Sequence, residues 1–131
     1  MTDDLPTPAE IIAAHDRIEE LYDLKYPGIM KTAPKLKLRE KVLEPAAEYD
    51  DPYHRAAVLL FGIQSVHIFE DANKRTAWTV TRAYLRRQGI EPPADDDVSE
   101  RVVRRAGKFG VDELAAWLET GEIDESRLPE H

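Results

Sequence analysis

The stretch Ala56-Ala-Val-Leu-Leu-Phe-Gly-Ile63 is the longest strongly apolar segment of this 131-residue chain. Its side chains are apolar nearly all round a helix, which is typical of a helix at the centre of a domain. Asp51-Pro52 provides a cap for the start of such a helix, and the segment is far too short to span a bilayer. We therefore expect a buried central helix that runs from Pro52 to about His67.

Start and stop signals predict two further helices before the central one. Thr7-Pro8-Ala9-Glu10 is a capping box with proline at the first helical position, and it opens an amphipathic helix. Pro27-Gly28 breaks that pattern, so the segment Asp23 to Ala33 is expected to be a loop or flap with room for a short hairpin. Residues 34–49 are predicted to form a helix with a basic exposed side, although Pro45 lies inside it.

Three more helices are predicted after the central one. Residues 73–88 form the first, since Gly89 fits the left-handed position after a helix. Residues 95–97 give the second an acidic start, and residues 111–118 form the last, which ends near Gly121. No segment alternates polar and apolar residues as a strand does. The expected fold is all-α. It is a single domain of about six helices around two buried central ones, with its core at about residues 7–120 and a flexible tail at about 122–131.

Composition excludes several classes of function. The chain has a formal charge of −8 and a pI near 5.0, which argues against a protein held to nucleic acid or an anionic membrane by its overall field. It contains no cysteine, so disulfides, thiolate metal sites and thiol nucleophiles are excluded. The N-terminus lacks the basic start and apolar run of a signal peptide. A cytoplasmic domain is expected.

The junction His67-Ile-Phe-Glu-Asp-Ala-Asn-Lys-Arg75 carries the chemistry, because it lies between two predicted helices. Residues 73–89 contain five basic residues and no acid, in a chain of net charge −8. Two of these cations stand at a helix start, where the dipole disfavours them unless an anion is bound. A phosphate at this helix N-terminus is the natural candidate. Asp71 is then suited to hold Mg²⁺, and His67 to act as a general base.

The same residues resemble the signature of the Fic/Doc family, H-x-F-x-(D/E)-(A/G)-N-(K/G)-R. The combination of Ala72 and Lys74 resembles the Doc (death-on-curing) toxin branch. The resemblance extends through the helix Thr76 to Gly89 and the opening helix Pro8 to Asp16, and so spans most of residues 7–120. It implies an all-α Fic fold with a motif loop that binds a nucleotide and Mg²⁺.

Two activities occur in the family that the chain resembles. Typical Fic enzymes transfer AMP from ATP to a protein hydroxyl, whereas Doc-type toxins transfer the γ-phosphate of ATP to a threonine of elongation factor Tu. By position, the resemblance implies that His67 deprotonates the target hydroxyl, that Asp71 coordinates Mg²⁺, and that Phe69 anchors the loop. It implies that three consecutive residues hold the phosphates: Asn73, Lys74 and Arg75.

Two departures favour the kinase branch. Many AMP-transferring members have glycine at the position of Lys74, and they carry a second arginine where this chain has Trp78.

The self-inhibitory S/T-x-x-x-E-(G/N) helix of some Fic proteins has only a poor match, because Ser126 to Glu130 includes Pro129. Inhibition is therefore expected from a separate Phd-like antitoxin chain that docks as a helix.

Other interpretations stay open at this point. AMP transfer and a non-catalytic Fic-fold regulatory module are the alternatives, and a helix-turn-helix DNA binder is the weakest. Arg82 and Arg86 are expected on a solvated face, although the pair Arg86-Arg87 also suits contact with a target protein. The basic residues 31–41 are expected on an exposed helix side rather than on a docking surface. Four further residues are interpreted structurally: Trp78 and Trp117 as core, His15 as near the core, and His54 without a role.

Overall fold

The computed structural model describes residues 5–22, 34–66 and 73–128, and these contain helices and turns with no strand among them. The α-helices are α1 Pro8–Tyr22, α2 Pro34–Leu38, α3 Glu44–Ala47, α4 Pro52–Val66, α5 Asn73–Arg87, α6 Asp97–Arg104 and α7 Val111–Thr120. A π-helix, Arg39–Leu43, joins α2 to α3, so these three segments form one continuous helical rod. The all-α prediction is confirmed. The predicted flap, with its hairpin, lies outside the described residues.

The capping box predicted for α1 is present. The Thr7 N–H donates to Glu10 Oε1 over 2.9 Å, and the Glu10 N–H donates back to Thr7 Oγ1 over 3.1 Å. Glu10 also accepts a hydrogen bond of 3.0 Å from Arg87 at the end of α5. The hydrogen bond from the Thr7 N–H holds the pKa of Glu10 below its usual value. Partial burial acts against this shift, and the positive charge of Arg87 adds to it. One carboxylate therefore caps α1 and ties it to α5.

Pro45 lies inside the second predicted helix without ending it. Proline has no N–H for the carbonyl four residues earlier, and its ring clashes with that carbonyl. The backbone accommodates this with a π-helical turn directly before the proline, where the Glu44 N–H donates to the carbonyl of Arg39. A π turn of this kind widens the helix locally and lets it continue.

The central apolar helix is α4, as predicted. Its buried residues are Arg55, Ala56, Ala57, Val58, Leu59, Leu60, Gly62 and Ile63. The one charged residue in this set, Arg55, donates from Nε to the carbonyl of Tyr49 over 2.6 Å, and so fastens the preceding turn to the helix. The predicted cap is present too, since Asp51 Oδ1 accepts from the His54 N–H over 2.9 Å. No helix in the described ranges is long and apolar enough to cross a membrane.

The second central helix, α5, packs against α4 along one side only. Its buried residues are Thr76, Ala77, Trp78, Val80, Thr81, Tyr84 and Leu85. The opposite face is exposed, so α5 is buried along one side of its length rather than all round. Its sequence explains the difference, because Lys74, Arg75, Arg86 and Arg87 cannot leave water without partners. Gly89 follows the helix at a φ of 77°, as predicted.

The last part of the chain closes the core over α4. Asp96 caps α6 by accepting from the Ser99 N–H over 2.9 Å, and Gly121 ends α7 at a φ of 79°. Trp117 of α7 is 1% exposed, as predicted for a core residue. Leu128, in the segment expected to be flexible, is 8% exposed and belongs to the hydrophobic core. It follows a short 3₁₀ helix, Glu125–Arg127, that is capped by Asp124.

Candidate functional site

A cavity of about 1000 Å³ lies along the exposed face of α5. The end of α4 contributes Gln64 and Ser65 to its lining. The opposite wall comes from α6 and from the 3₁₀ helix Ala106–Lys108 that follows it. Its volume is at the upper end of the range for small-molecule and cofactor sites.

The first turn of α5 brings the three predicted phosphate-binding residues to this cavity. Asn73 is half-buried, whereas Lys74 and Arg75 are exposed, and all three line the cavity. The first turn of a helix has N–H groups without intrahelical partners and a partial positive charge. The backbone N–H groups and the two cations therefore both attract an anion to this turn. Their part in phosphate binding stays a prediction.

His67, Phe69 and Asp71 lie outside the described residues, so the roles that the sequence predicts for them stay predictions. Within the described ranges, no three histidine or acidic side chains are grouped to hold a metal ion. A magnesium site that uses Asp71 therefore also stays a prediction.

The described lining of the cavity is strongly cationic. Seven basic residues contribute to it: Lys74, Arg75, Arg82, Arg86, Arg104, Arg105 and Lys108. Only two acids, Asp95 and Glu100, are found among the described lining residues. The sign of this surface is opposite to that of the whole chain, which has a formal charge of −8. Such a concentration of positive charge in a concave surface attracts anions.

Arg82 corrects the expectation of a solvated face. Its side chain is 23% exposed, and its guanidinium carbon lies 5.6 Å from the centre of the Trp78 ring. Asp95 approaches both residues, with contacts of 3.4 Å to Trp78 Nε1 and 4.0 Å to the Arg82 guanidinium. The Nε atom of Arg82 is buried without a hydrogen-bond partner among the described residues. Trp78, predicted as core, is buried and also lines the cavity.

Sequence reasoning missed the cations of the opposite wall. Arg104, Arg105 and Lys108 received no role, although residues 101–108 contain four basic residues and no acid. This is the same local excess of charge that identified residues 73–89. The signal was present, but only the fold shows that the two basic segments face one cavity.

His54 forms a separate cluster away from the cavity, which corrects the expectation that it has no role. Its Nδ1 lies 2.7 Å from Asp51 Oδ2, and its Nε2 lies 3.0 Å from Asp112 Oδ1 at the start of α7. Burial lowers the pKa of His54, but the hydrogen bond with Asp112 and the charge of Asp51 outweigh it, so the pKa lies above its ordinary value. Partial burial raises the pKa of Asp51, but the N–H and the charge of His54 bring it below its usual value. The cluster connects two helices.

The fold and the sequence motif together define a class. It is an all-helical protein in which the sequence His67 to Arg75 leads into a helix that lines a cationic cavity. The sequence model of the Fic/DOC family matches residues 5–85. The protein kinase Doc of Escherichia phage P1 is 30% identical over 115 residues, which cover 86% of this chain and 90% of that protein. The chain belongs to the Fic/Doc family.

Proposed function

We propose that this chain is a Doc-like protein kinase. It transfers the γ-phosphate of ATP to a threonine or serine hydroxyl of a protein, with elongation factor Tu as the target by analogy, and so blocks translation. The observation that carries the proposal is the first turn of α5, where Asn73, Lys74 and Arg75 line the cationic cavity. The similarity to a protein named a protein kinase supports the reaction class.

The described part of the site suits a triphosphate. A helix start with exposed Lys74 and Arg75 provides backbone donors and two fixed charges for phosphate oxygens. Phosphoryl transfer needs little else from a protein than positioning and neutralisation of charge. Asp71 would hold Mg²⁺, and the ion would neutralise part of the negative charge of the phosphates.

In the proposed reaction, His67 accepts the proton of the target hydroxyl. A bond forms between the hydroxyl oxygen and the γ-phosphorus, while the bond from that phosphorus to the β–γ bridging oxygen breaks. ADP leaves with the electron pair of the broken bond. Lys74 and Arg75 compensate the negative charge on the transferred group and on the leaving group.

The choice between phosphate and AMP transfer is a question of which phosphorus the hydroxyl attacks. Lys74 occupies space and adds a point charge at the helix start, which favours the orientation that presents the γ-phosphate. The test uses purified protein, Mg²⁺, elongation factor Tu, and ATP labelled at either the α or the γ phosphate. We expect γ label on the acceptor. Label from the α position would establish AMP transfer instead.

Variants of the site make the test specific. Lys74→Ala should reduce the labelling rate by about 10- to 100-fold, the loss expected for one charge-assisted hydrogen bond. His67→Ala should abolish it. Lys35→Ala is the matched control, because Lys35 is an exposed lysine at the start of α2 that does not line the cavity. Absence of labelling with every variant and with the natural sequence would favour the non-catalytic regulatory module.

The proposal extends to a toxin–antitoxin pair in the cytoplasm, where elongation factor Tu acts. Expression of the chain should arrest growth of a bacterial host, and His67→Ala should relieve the arrest. A Phd-like antitoxin, expressed as a separate chain, should restore growth. Arrest that persists with His67→Ala would separate the toxicity from the proposed chemistry.

A further inference from the structure

A second cavity, of about 580 Å³, forms a groove between α4 and the helical rod that consists of α2, the π-helix and α3. We call it the α4 groove. Lys37 and Lys41 line it from the rod. Its apolar lining consists of Pro45, Tyr49, Val58, Phe61, Val66 and Val111. Four of these six side chains are only partly buried, so the groove offers apolar surface to a ligand.

Two contacts show that the rod and α4 run in opposite directions along this groove. Near the start of α4, Arg55 Nε donates to the carbonyl of Tyr49 over 2.6 Å. Later in α4, a Cβ atom at Gly62 would lie 3.2 Å from the methyl carbons of Val42. Residues that precede Val42 on the rod therefore lie toward the end of α4. Both lysines are at that end of the groove, and Glu48 is at the other.

The lysine end of the groove borders on the cationic cavity, because Ser65 lines both spaces. Val66, the last residue of α4, lines the groove, and the next residue in the sequence is His67, the predicted general base. A hydroxyl group that gives its proton to His67 and receives phosphate from the cavity belongs to a molecule that reaches this junction. Among the described residues, those of the α4 groove form a surface that leads to it.

The charges in the groove favour an acid at one end only. Lys37 and Lys41 are exposed, and no ion pair between described residues includes either of them. Glu40 and Glu44 share the rod with them but do not line the groove. The one acid in the described lining, Glu48, is at the far end. A ligand with an acidic side chain beside the lysines is therefore attracted, and one with an acid at the far end is repelled.

We propose that the α4 groove binds the segment of the protein substrate that flanks the phosphorylated hydroxyl, with an acidic residue beside the two lysines and apolar side chains against Phe61 and Val58. This inference rests on the proposed function and names the docking surface for that acceptor. From Val58 to Val66, α4 rises about 12 Å, and an extended peptide rises about 3.3 Å per residue, so the groove accommodates about four residues. The expected order is the hydroxyl residue, then the acid, then the apolar residues.

The test measures binding of a probe peptide in the absence of ATP. The probe is a fluorescein-labelled peptide with the order threonine, glutamate, glutamate, leucine, leucine. Fluorescence anisotropy should show that it binds more tightly than a peptide with serines in place of the leucines, and more tightly than one in which the glutamates follow the leucines. Lys37→Ala/Lys41→Ala should weaken binding of the probe about fivefold, as expected for two exposed ion pairs. Lys37→Glu/Lys41→Glu should weaken it more than tenfold.

A matched control comes from the other side of the same rod. Lys35→Ala/Arg39→Ala removes two exposed cations that do not line the groove, and it should leave binding of the probe unchanged. The affinity for ADP with Mg²⁺ should be the same in every variant, and thermal unfolding shows whether each variant keeps its fold. In the labelling experiment, Lys37→Ala/Lys41→Ala should raise the KM for elongation factor Tu about fivefold and leave the KM for ATP unchanged.

Elongation factor Tu should also displace the probe. Three outcomes would overturn the inference: equal binding of the leucine and serine peptides, no effect of the Lys37 and Lys41 variants, and a bound probe that elongation factor Tu does not displace although the chain phosphorylates it. The last outcome would assign the groove to another occupant, such as an antitoxin helix or an apolar small molecule. Because the probe binds without ATP, a failure of the proposed kinase activity is distinguishable from a failure of the groove to bind peptide.

Discussion

At the scale of single residues, Gly62 shows how closely α4 approaches the π-helical segment. A Cβ atom at position 62 would lie 3.2 Å from both methyl carbons of Val42. That separation is tighter than ordinary van der Waals contact, and both residues are buried. The glycine therefore lets two helices meet, at the expense of the lower helix propensity that glycine has in a helix interior.

Gly62→Val should lower the free energy of unfolding by about 1–3 kcal/mol, because extra methyl groups overpack a filled core. Urea denaturation followed by circular dichroism measures the change. The matched variant Val42→Ala removes the methyl groups that the new side chain meets. In the double variant the two losses should partly cancel, so that it is more stable than the sum of the single changes implies. Strict additivity would contradict this description of the contact.

At the scale of helices, the His54 cluster joins the start of α4 to the start of α7. His54 lies between Asp51, which caps its own helix, and Asp112, which is 58 residues further along the chain. Its ring also stacks on Tyr49, with 5.2 Å between ring centroids. A protonated ring between two carboxylates stabilises this arrangement more than a neutral ring does.

The stability of the protein should therefore depend on pH through His54. A histidine with a raised pKa contributes stability fully below its unfolded pKa of about 6.5 and loses it as pH rises through the folded pKa. Asp51, whose pKa is lowered, contributes above about 3.9 and loses its contribution as pH falls through its folded pKa. His54→Gln should thus destabilise the chain more at about pH 5.5 than at about pH 8.5.

Urea midpoints of the natural chain and of His54→Gln, measured across this pH range, test the effect. Asp112→Asn is a useful companion, because it removes the partner on α7 and keeps the shape of the side chain. It should reproduce part of the same pH dependence. An equal loss of stability at both pH values would contradict the proposed protonation of His54.

At the scale of the whole molecule, the core collects side chains from both ends of the described chain. Leu5 is 7% exposed and Leu128 is 8% exposed, and both belong to one cluster with α4 and α7. Trp78 and Trp117 both belong to this cluster, and their rings stack with 5.5 Å between ring centroids. The wall of the candidate site and the core therefore share Trp78.

Leu128→Ala should lower the free energy of unfolding by about 2–3 kcal/mol, toward the lower end of the range for buried leucines, because the site is at the edge of the core. Glu122→Ala, at an exposed position of the same segment, should change it by less than about 0.5 kcal/mol. Urea denaturation of both variants gives the comparison. Equal effects would indicate that Leu128 does not contribute to the core in solution.

The net charge of −8 does not show how charge is distributed over the surface of the molecule. Among the described residues, acids such as Asp96 and Asp97 lie at helix starts, whereas seven cations line one cavity. Counting residues within 73–89 already indicated a local anion site. Counting could not show that residues 105 and 108 face the same space, since this depends on how α6 packs against α5.

The sequence by itself determined the helices, their caps and the first turn of α5. These depend on groups within about four residues of one another, as in the Thr7–Glu10 box, the Asp51–His54 cap and Gly89. Only the tertiary structure decided that the open face of α5 borders one cavity with α6, that Arg82 lies over Trp78, and that His54 meets Asp112. These contacts arise from the packing of helices that are distant in sequence, and a local sequence pattern does not specify how two such helices pack.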